Sequence, residues 1–278
     1  MNDSLVGYWR LDDDTTTGGS VPDSSGLGHD GTASFASTAV AGQVGNAVSF
    51  NGSSDSISCG TGSELDMGTG DFTVSAWIRT SSSAQQRILC KRTSGGAGYD
   101  LFVDGGVVYM YLTDGGQYAY SNSSSSVADG NWHHLVATVD RTANEVRLYV
   151  DGESVDSDSI AQNFGSLDNP GFLTIGQYSE GGAYFAGSID DVRIYSRALS
   201  TDEIRTLSLQ DWDTFIDFCD AWLTGADSTD YDPAFNVYPS GTPDNVIDYK
   251  DFAILSANWK IFDKNPQRYY YLHDVLGS

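Results

Sequence analysis

Positive charge, long apolar runs and cysteine are all scarce in this sequence. Its 278 residues include 14 lysines and arginines against 38 aspartates and glutamates, which gives a net charge of -24. Such a chain repels the phosphates of nucleic acids and of anionic membranes, so we expect neither as a partner. No apolar run approaches the ~18 residues that a membrane-spanning helix requires. The opening residues, MNDSLVGYW, also lack the apolar segment of a signal peptide.

The three cysteines, Cys59, Cys90 and Cys219, are odd in number and match no metal-ligand spacing. Cys59 and Cys90 can form a disulfide if their strands are neighbours, which spacing alone does not establish. Buried free thiols are the alternative, and we favour it slightly. Cysteine usage therefore does not decide the redox compartment.

Short apolar runs separated by turn residues fill the first two hundred residues, where Gly, Ser, Thr and Asp dominate. This rhythm predicts an all-β sandwich. The segment DFTVSAWIRT alternates apolar and polar residues, as a strand with one buried face does. We expect a hairpin at Asn51-Gly52 and another at Gly105-Gly106. The remaining predicted strands are LVGYWRLDD, RILCKR, NWHHLVATVD, EVRLYVDGESV, FLTIGQY and GSIDDVRIY.

The segment GSIDDVRIYSRAL over residues 187–199 predicts the last strand of this sandwich. Strict alternation places Ile189, Asp191, Arg193 and Tyr195 on one side, with Asp190 among those on the other. Two adjacent carboxylates in an apolar strand are costly to bury unless positive charge meets them. Ser200 and Glu203 then follow with capping-box spacing, which predicts a short helix over residues 201–207.

Several of these segments, in this order, resemble the laminin G-like, or concanavalin A-like, jelly-roll family. The segments are GYWRLDD, DSSGLGHDG, GNAVSFNGSSDSI, FTVSAWIR, WHHLVATVD, VRLYVDG, LTIGQY and GSIDDVRIYSRALS. The resemblance covers residues 5–207. It implies two stacked antiparallel sheets, frequently one structural calcium ion, and carbohydrate or protein binding. One fold hosts many functions, so the ligand does not follow from it.

The resemblance implies a Ca²⁺ site between the loop near the N-terminus and the last strand. Its ligands would be the Asp23 carboxylate, main-chain oxygens near Gly28 and His29, and Asp190 or Asp191. Calcium takes six to eight oxygen ligands, which such a loop can supply. The alternative is an Asx turn at Asp23 and a salt bridge from Asp191 to an arginine, Arg193 or Arg10.

Aromatic residues near polar loops are the candidates for sugar binding, because a tyrosine ring can stack on a pyranose while its hydroxyl stays hydrated. The candidates are Tyr99, Tyr118, Tyr120, Tyr178 and Tyr184. Tyr109 and Tyr111 share one strand face and form a possible platform. The alternative for each is packing, since tyrosine is common in strands.

The chain after residue 207 changes character. Apolar residues in LQDWDTFIDFCDAWL and VIDYKDFAILSANW recur at helical spacing, and both segments share a D-F…W pattern. This repeat resembles the dockerin-like calcium loop–helix module. The resemblance assigns Ca²⁺ to Asp244, the Val246 carbonyl, Asp248 and Asp251, a helical hairpin with solvated acids being the alternative. The tail RYYYLHDVLGS resembles the start of an RHS/YD-repeat core.

Signals for catalysis are weak. The closest acidic pattern, ELDMGT at Glu64, lacks a second glutamate, and no G-x-S-x-G, H-E-x-x-H or phosphate-binding loop occurs. We therefore expect a mainly β chain with a concanavalin A-like jelly roll of two antiparallel sheets over 1–207, a small α-helical module over 208–262, and a tail over 263–278. The expected function is non-catalytic, lectin-like carbohydrate binding in a secreted or cell-surface bacterial protein stabilised by calcium. The alternative is an architectural or adhesion module that docks a protein partner through its dockerin-like part.

Overall fold

The computed structural model describes residues 4–208, and residues 4–204 of these belong to one compact unit. The predicted dockerin-like module and the C-terminal tail lie outside the described residues. So do the calcium ligands predicted there, which are Asp244, Val246, Asp248 and Asp251.

Sixteen strands and one α-helix make up the described fold. In chain order they are β1 (Leu5–Trp9), β2 (Ser20–Val21), β3 (Gly31–Ala33), β4 (Val40–Ala41), β5 (Asn46–Asn51), β6 (Ile57–Ser58), β7 (Phe72–Arg79), β8 (Gln86–Arg92), β9 (Ala97–Asp104), β10 (Val107–Asp114), β11 (Tyr118–Asn122), β12 (Trp132–Asp140), β13 (Glu145–Val150), β14 (Glu153–Ser159), β15 (Thr174–Ile175), β16 (Ala186–Tyr195) and α1 (Thr201–Ser208). A 3-10 turn, Ser63–Leu65, precedes β7.

The strands form two antiparallel sheets of eight strands each. Sheet I has the order β14-β13-β12-β7-β16-β5-β4, and β1 pairs with β16 beside this path. Sheet II has the order β11-β10-β9-β8-β15-β6-β3-β2. The prediction of a mainly β sandwich of two antiparallel sheets is therefore confirmed.

The hydrophobic core is contributed by alternate residues of strands from both sheets. In β7 every second residue belongs to it, and β9 and β10 supply its members from sheet II. These core residues are Phe72, Val74, Ala76, Ile78, Tyr99, Leu101, Val103, Val108, Met110 and Leu112. Burial of apolar surface stabilises a fold by roughly 25 cal/mol per Å². Alternation then turns the intervening residues of β9 and β10 to the outer face of sheet II.

A β-bulge in β16 overturns the strict alternation predicted for that strand. Its register against β7 shifts between Asp190 and Arg193, and Asp191 has a positive φ of 54°. The extra residue places Ile189, Val192 and Ile194 in the core. Asp191 and Arg193 are therefore not two positions of one uninterrupted strand face.

The hairpin predicted at Asn51-Gly52 is also wrong. Strand β5 pairs with β4 and β16 in sheet I, whereas β6 pairs with β3 and β15 in sheet II. The Asn51 side chain accepts main-chain hydrogen bonds from Ser53 and Ser54 and so shapes the turn. The chain therefore crosses from sheet I to sheet II here, and Phe50 before the turn and Ile57 after it are both buried in the shared core.

The capping box before α1 is confirmed. Glu203 N donates to Ser200 Oγ at 3.4 Å, and Ser200 N donates to Glu203 Oε2 at 2.9 Å. These reciprocal bonds satisfy donors that a helix N-terminus otherwise leaves unpaired. No helix within residues 4–208 is long and apolar enough to cross a membrane.

Cys59 and Cys90 are both free and buried. Cys59 follows β6 and Cys90 lies in β8, and β15 is hydrogen-bonded between these two strands. The thiols are therefore separated by a strand, and the preference for free thiols is confirmed for this pair.

Candidate functional site

A continuous set of aromatic side chains occupies the outer face of sheet II. Register places Phe102 opposite Tyr109, Tyr111 opposite Tyr120, and Thr113 opposite Tyr118 across three adjacent strands. Their neighbours in sequence, such as Leu101, Met110 and Ala119, are buried on the other side. We call this set, together with the adjoining Arg87, Arg92 and Tyr178, the aromatic face. Its aromatic strand residues are Phe102, Tyr109, Tyr111, Tyr118 and Tyr120.

The rings of the aromatic face pack against one another rather than standing apart. Phe102 and Tyr109 are stacked with centroids 5.0 Å apart and an interplanar angle of 9°. Tyr118 stacks with Tyr111 at 6.2 Å and 12°, and with Tyr120 at 6.4 Å and 16°. Tyr118 is 67% exposed and Tyr120 is 41% exposed. The face therefore presents nearly parallel rings to solvent and holds them by mutual contact.

Two arginines of β8 border these rings and share one carboxylate. Arg87 Nε donates to Asp100 Oδ2 at 2.8 Å, and Arg92 Nη2 donates to the same oxygen at 3.3 Å. Burial raises the pKa of Asp100, and the two guanidinium groups oppose that rise. Asp100 itself is fully buried. Paired charges of this kind persist in an apolar setting because each satisfies the other.

Ring contacts fix the positions of both guanidinium groups. Arg87 lies 4.4 Å from the ring centroid of Phe102 and 5.6 Å from that of Tyr178. Arg92 lies 5.0 Å from Tyr111 and 5.1 Å from Tyr178. Cations within about 6 Å of a ring centroid are attracted by the ring quadrupole. The aromatic face can therefore offer flat apolar surface and preorganised hydrogen-bond donors side by side.

The structure brings together three of the five tyrosines expected to bind sugar. Tyr118 and Tyr120 lie on the aromatic face, and Tyr178 borders it through the arginines. The expectation for Tyr99 was wrong, because its ring is fully buried and its hydroxyl donates to Leu65 O at 2.9 Å. Tyr184 lies in the loop that connects β15 to β16 and is half-buried. Within the described residues its ring makes no ring contact with the aromatic face.

Sequence reasoning missed Phe102, Arg87, Arg92 and Asp100. A signal for Phe102 and Asp100 exists in the segment YDLFVD. Leu101 and Val103 alternate with them and are apolar, which indicates that Asp100 and Phe102 share the opposite face of the strand. No such signal exists for the arginines, because β8 contains an irregularity between Arg87 and Leu89.

Asp23, the first predicted calcium ligand, organises the loop that contains it. Its Oδ1 accepts hydrogen bonds from Tyr8 N and Ser25 N, both at 2.9 Å. Its Oδ2 accepts from Ser25 Oγ at 2.7 Å and from His29 N at 2.9 Å. Burial raises the pKa of Asp23, but these hydrogen bonds outweigh it and lower the value. The Ser25 bond is the Asx turn that we gave as the alternative role.

The main-chain groups predicted to bind calcium, near Gly28 and His29, are either hydrogen-bonded or exposed to solvent. The carbonyl of His29 accepts a 2.9 Å hydrogen bond from Trp9 Nε1, and the His29 ring is buried against Gly62. Gly28 is exposed and has a positive φ of 82°. His29 therefore contributes to packing of the loop on β1.

The carboxylates of β16 have separate partners. Asp190 Oδ2 accepts hydrogen bonds from Gln43 N at 2.9 Å and Val44 N at 2.8 Å. Its Oδ1 is buried and has no hydrogen-bond partner among the described residues. Burial and the nearby Asp191 charge raise the pKa of Asp190 to about 8. Asp191 forms a 2.6 Å salt bridge with Arg193, the alternative named above.

These groups do not fit Ca²⁺ in their present arrangement. Strand β1 lies between the Asp23 loop and the carboxylates of β16. Its residue Trp9 pairs with Asp23 on one side and with Val192 on the other. Within residues 4–208 no group of three or more His, Cys, Asp or Glu side chains is placed to hold a metal ion. Among the predicted carboxylate oxygens within residues 4–208, only Asp190 Oδ1 is both buried and without a hydrogen-bond partner. Calcium binding stays a prediction from the sequence resemblance.

Comparison with known families finds a match over most of the sandwich. Residues 51–205 match the model of the Laminin_G_3 family, described as the concanavalin A-like lectin/glucanases superfamily. A 90-residue stretch is 31% identical to the rat (Rattus norvegicus) protein named Sushi, von Willebrand factor type A, EGF and pentraxin domain-containing protein 1. That stretch is 30% of this chain and only 2% of the rat protein.

Solved structures share the fold at low sequence identity. The binding domain of Paraclostridial Mosquitocidal Protein 1 is 19% identical with a TM-score of 0.61, over 75% of this chain and 52% of that one. Domain 4 of AbnA, a GH43 extracellular arabinanase from Geobacillus stearothermophilus, was solved in complex with arabinotriose. It is 19% identical with a TM-score of 0.55, over 74% of this chain and 98% of that one. The chain thus spans about half of the first structure and nearly all of the second.

Proposed function

Since the chain belongs to the Laminin_G_3 family of the concanavalin A-like lectin/glucanases superfamily, we propose that its jelly roll is a non-catalytic, lectin-like module that binds carbohydrate. The observation that carries this proposal is the row of stacked, exposed tyrosines on the outer face of sheet II. The binding residues are Tyr118 and Tyr120, supported from below by Tyr111 and Tyr109.

The chemistry of these rings suits a sugar. A tyrosine ring presents a flat apolar surface to the axial hydrogens of a pyranose, while the hydroxyl remains hydrated at the rim. Tyr118 and Tyr120 lose few rotamers on binding, because neighbouring rings already hold them. Exposed apolar patches on a soluble protein commonly mark a binding surface. The arabinotriose complex of a domain with this fold supports a glycan as the ligand.

The arrangement of charge on the aromatic face favours binding over hydrolysis. Glycoside hydrolysis uses two carboxyl groups that flank the scissile bond, one of them protonated. Asp100 is the carboxylate that the register places between the rings. It is fully buried and forms salt bridges with Arg87 and Arg92. It is therefore placed to orient the arginines rather than to attack or protonate a sugar.

The setting that we propose is a secreted or cell-surface bacterial protein. The arabinanase domain with this fold comes from an extracellular enzyme, which supports an extracellular role. Calcium as a stabilising ion is a separate prediction that rests on the sequence resemblance alone, because the ligands predicted within residues 4–208 do not fit it in the described arrangement. Isothermal titration of the chelator-treated full chain with Ca²⁺ tests it, and the absence of both binding heat and a gain in melting temperature would remove calcium from the account.

A glycan array with the full chain tests the proposed function. The array should include neutral and acidic oligosaccharides, because the face combines rings with arginines. Binding to one glycan class, with the signal competed by the free oligosaccharide, is the expected result. Silence across the array would contradict carbohydrate binding and favour the architectural alternative, in which the chain docks a protein partner.

A further inference from the structure

The two arginines of the aromatic face carry more positive charge than their shared carboxylate neutralises. Arg87 and Arg92 both donate to one oxygen of Asp100, so two cations meet one anion. Arg87 Nη1 and Arg92 Nε are buried and have no hydrogen-bond partner among the described residues. Unpaired buried donors on a cation are costly. Asp100 therefore compensates the two guanidinium groups only in part.

Two carboxylates in neighbouring segments have hydrogen-bond partners other than the arginines, and each keeps its negative charge. Glu180 follows Tyr178 in the same loop, and its Oε1 accepts a 3.2 Å hydrogen bond from Ser94 N. Asp104 ends β9, and its Oδ2 accepts a 3.0 Å bond from Gln85 Nε2. The whole chain carries a net charge of -24, so general attraction of anions is not its property. Attraction of an anionic group would therefore be a local effect of Arg87 and Arg92.

The more accessible arginine lies in line with the exposed rings. The Arg92 side chain is 18% exposed, against 8% for Arg87. Arg92 lies over Tyr111, and Tyr111 stacks on Tyr118. A sugar ring stacked on Tyr118 would therefore lie beside Tyr111, with one of its substituents directed towards the Arg92 guanidinium. A guanidinium donates two parallel hydrogen bonds to a carboxylate or sulfate.

We propose that the aromatic face selects saccharides that carry an anionic group, a carboxylate or a sulfate, and that Arg92 binds this group. The inference rests on the proposed carbohydrate-binding function and names the ligand class of the same site. Tyr118 and Tyr120 supply contact area that neutral and acidic sugars share. Arg92 supplies the discrimination between them.

Matched glycan pairs test the proposal without any mutation. The full chain is titrated with uronate oligosaccharides and their methyl esters, sialyl oligosaccharides and their methyl esters, and sulfated oligosaccharides and their desulfated forms. We expect at least one acidic member to bind about tenfold or more tightly than its neutral partner, and rising NaCl to weaken that binding. The pair that shows the difference identifies carboxylate or sulfate.

Equal affinity within every pair would overturn anion selection and leave the proposed function standing. Binding of no saccharide would overturn both. Arg92→Gln should reduce the preference for the acidic member by about tenfold, while Arg147→Gln, a matched change on sheet I, should leave it unchanged. Arg92→Lys should keep part of the preference, because it retains the charge without the planar donors. A folded Arg92→Gln chain that keeps the full preference would overturn the assignment to Arg92.

Discussion

Tyr118 stacks on Tyr111 from the neighbouring strand, with ring centroids 6.2 Å apart and planes 12° from parallel. The exposed ring of Tyr118 thus rests on a partner that is half-buried in the sheet surface. The same ring also stacks with Tyr120 along its own strand. This double contact gives Tyr118 a fixed orientation before any ligand arrives, which reduces the entropy lost on binding.

Replacement of Tyr118 should separate ring stacking from hydrogen bonding. Tyr118→Phe keeps the ring and should retain affinity for the bound glycan within about threefold, whereas Tyr118→Ala should lose about tenfold. Isothermal titration of both variants with the tightest glycan from the array measures the difference. The melting temperature should hardly change in either variant, because the side chain is 67% exposed. Equal, large losses in both variants would instead assign the contact to the hydroxyl.

The adjacent histidines His133 and His134 should affect stability in opposite pH directions. Hydrogen bonding to Asp151 raises the pKa of His133, and burial lowers the pKa of His134 to about 3. The stabilisation from His133 is therefore fully present below its unfolded pKa of roughly 6.5 and is lost as pH rises through the folded value. His134 must stay neutral to remain buried, so its contribution is lost as pH falls from roughly 6.5 towards its folded pKa.

Urea unfolding of His133→Gln and His134→Gln across pH 4 to 9 tests this pair of effects. The deficit of His133→Gln relative to the natural chain should be greatest at acidic pH and should fade above neutrality. Stability of His134→Gln should depend less on pH than that of the natural chain between pH 4 and 6.5. Parallel pH profiles for both variants and the natural chain would show that neither histidine has the assigned environment.

Gly98 should tolerate no side chain, whereas Gly105 should tolerate one at modest cost. Gly98 has a φ of +139°, and a Cβ there would collide with the main-chain oxygen of Lys91. Gly105 has a φ of +62° and no atom within 4 Å of a built Cβ. We expect Gly98→Ala to lower the free energy of unfolding by about 2 kcal/mol or more. Gly105→Ala should cost about 1 kcal/mol, because alanine is strained at this left-handed φ.

Chemical denaturation of the two glycine variants measures these losses. Gly98 pairs with Arg92 and with Thr113, so its position bears on the geometry of the aromatic face. A Gly98→Ala chain as stable as Gly105→Ala would show that β8 and β9 are spaced more loosely than described.

Local periodicity predicted the parts of the fold in which one strand face meets the core. Alternation in β7 correctly separated Phe72 and Val74 from Thr73 and Ser75. The same rule applied to β9 would have placed Tyr99 inside with Leu101 and Val103. Proximity to polar loops is the weaker signal at Tyr99, because strand alternation determines which face its side chain occupies.

The remaining features depend on contacts between segments that are distant in sequence. The bulge at Asp191 breaks alternation in β16, and Asp191 is paired with the buried Arg193. Arg87 and Arg92 join the aromatic face only because β9 and β10 bring Phe102 and Tyr111 beside them. A spacing rule within one strand contains no information on such neighbours.

Direct titration of the natural full chain and of its Tyr118→Ala/Tyr120→Ala variant tests the central claim, using the glycan with the strongest array signal. Leu27→Ala is the matched control, because Leu27 is 50% exposed in the loop that precedes β3, near the opposite edge of sheet II. We predict saturable binding by the natural chain and by Leu27→Ala, and a loss of about a hundredfold or more in the double variant. Unchanged affinity in a folded double variant would contradict the assignment of the aromatic face as the carbohydrate-binding surface.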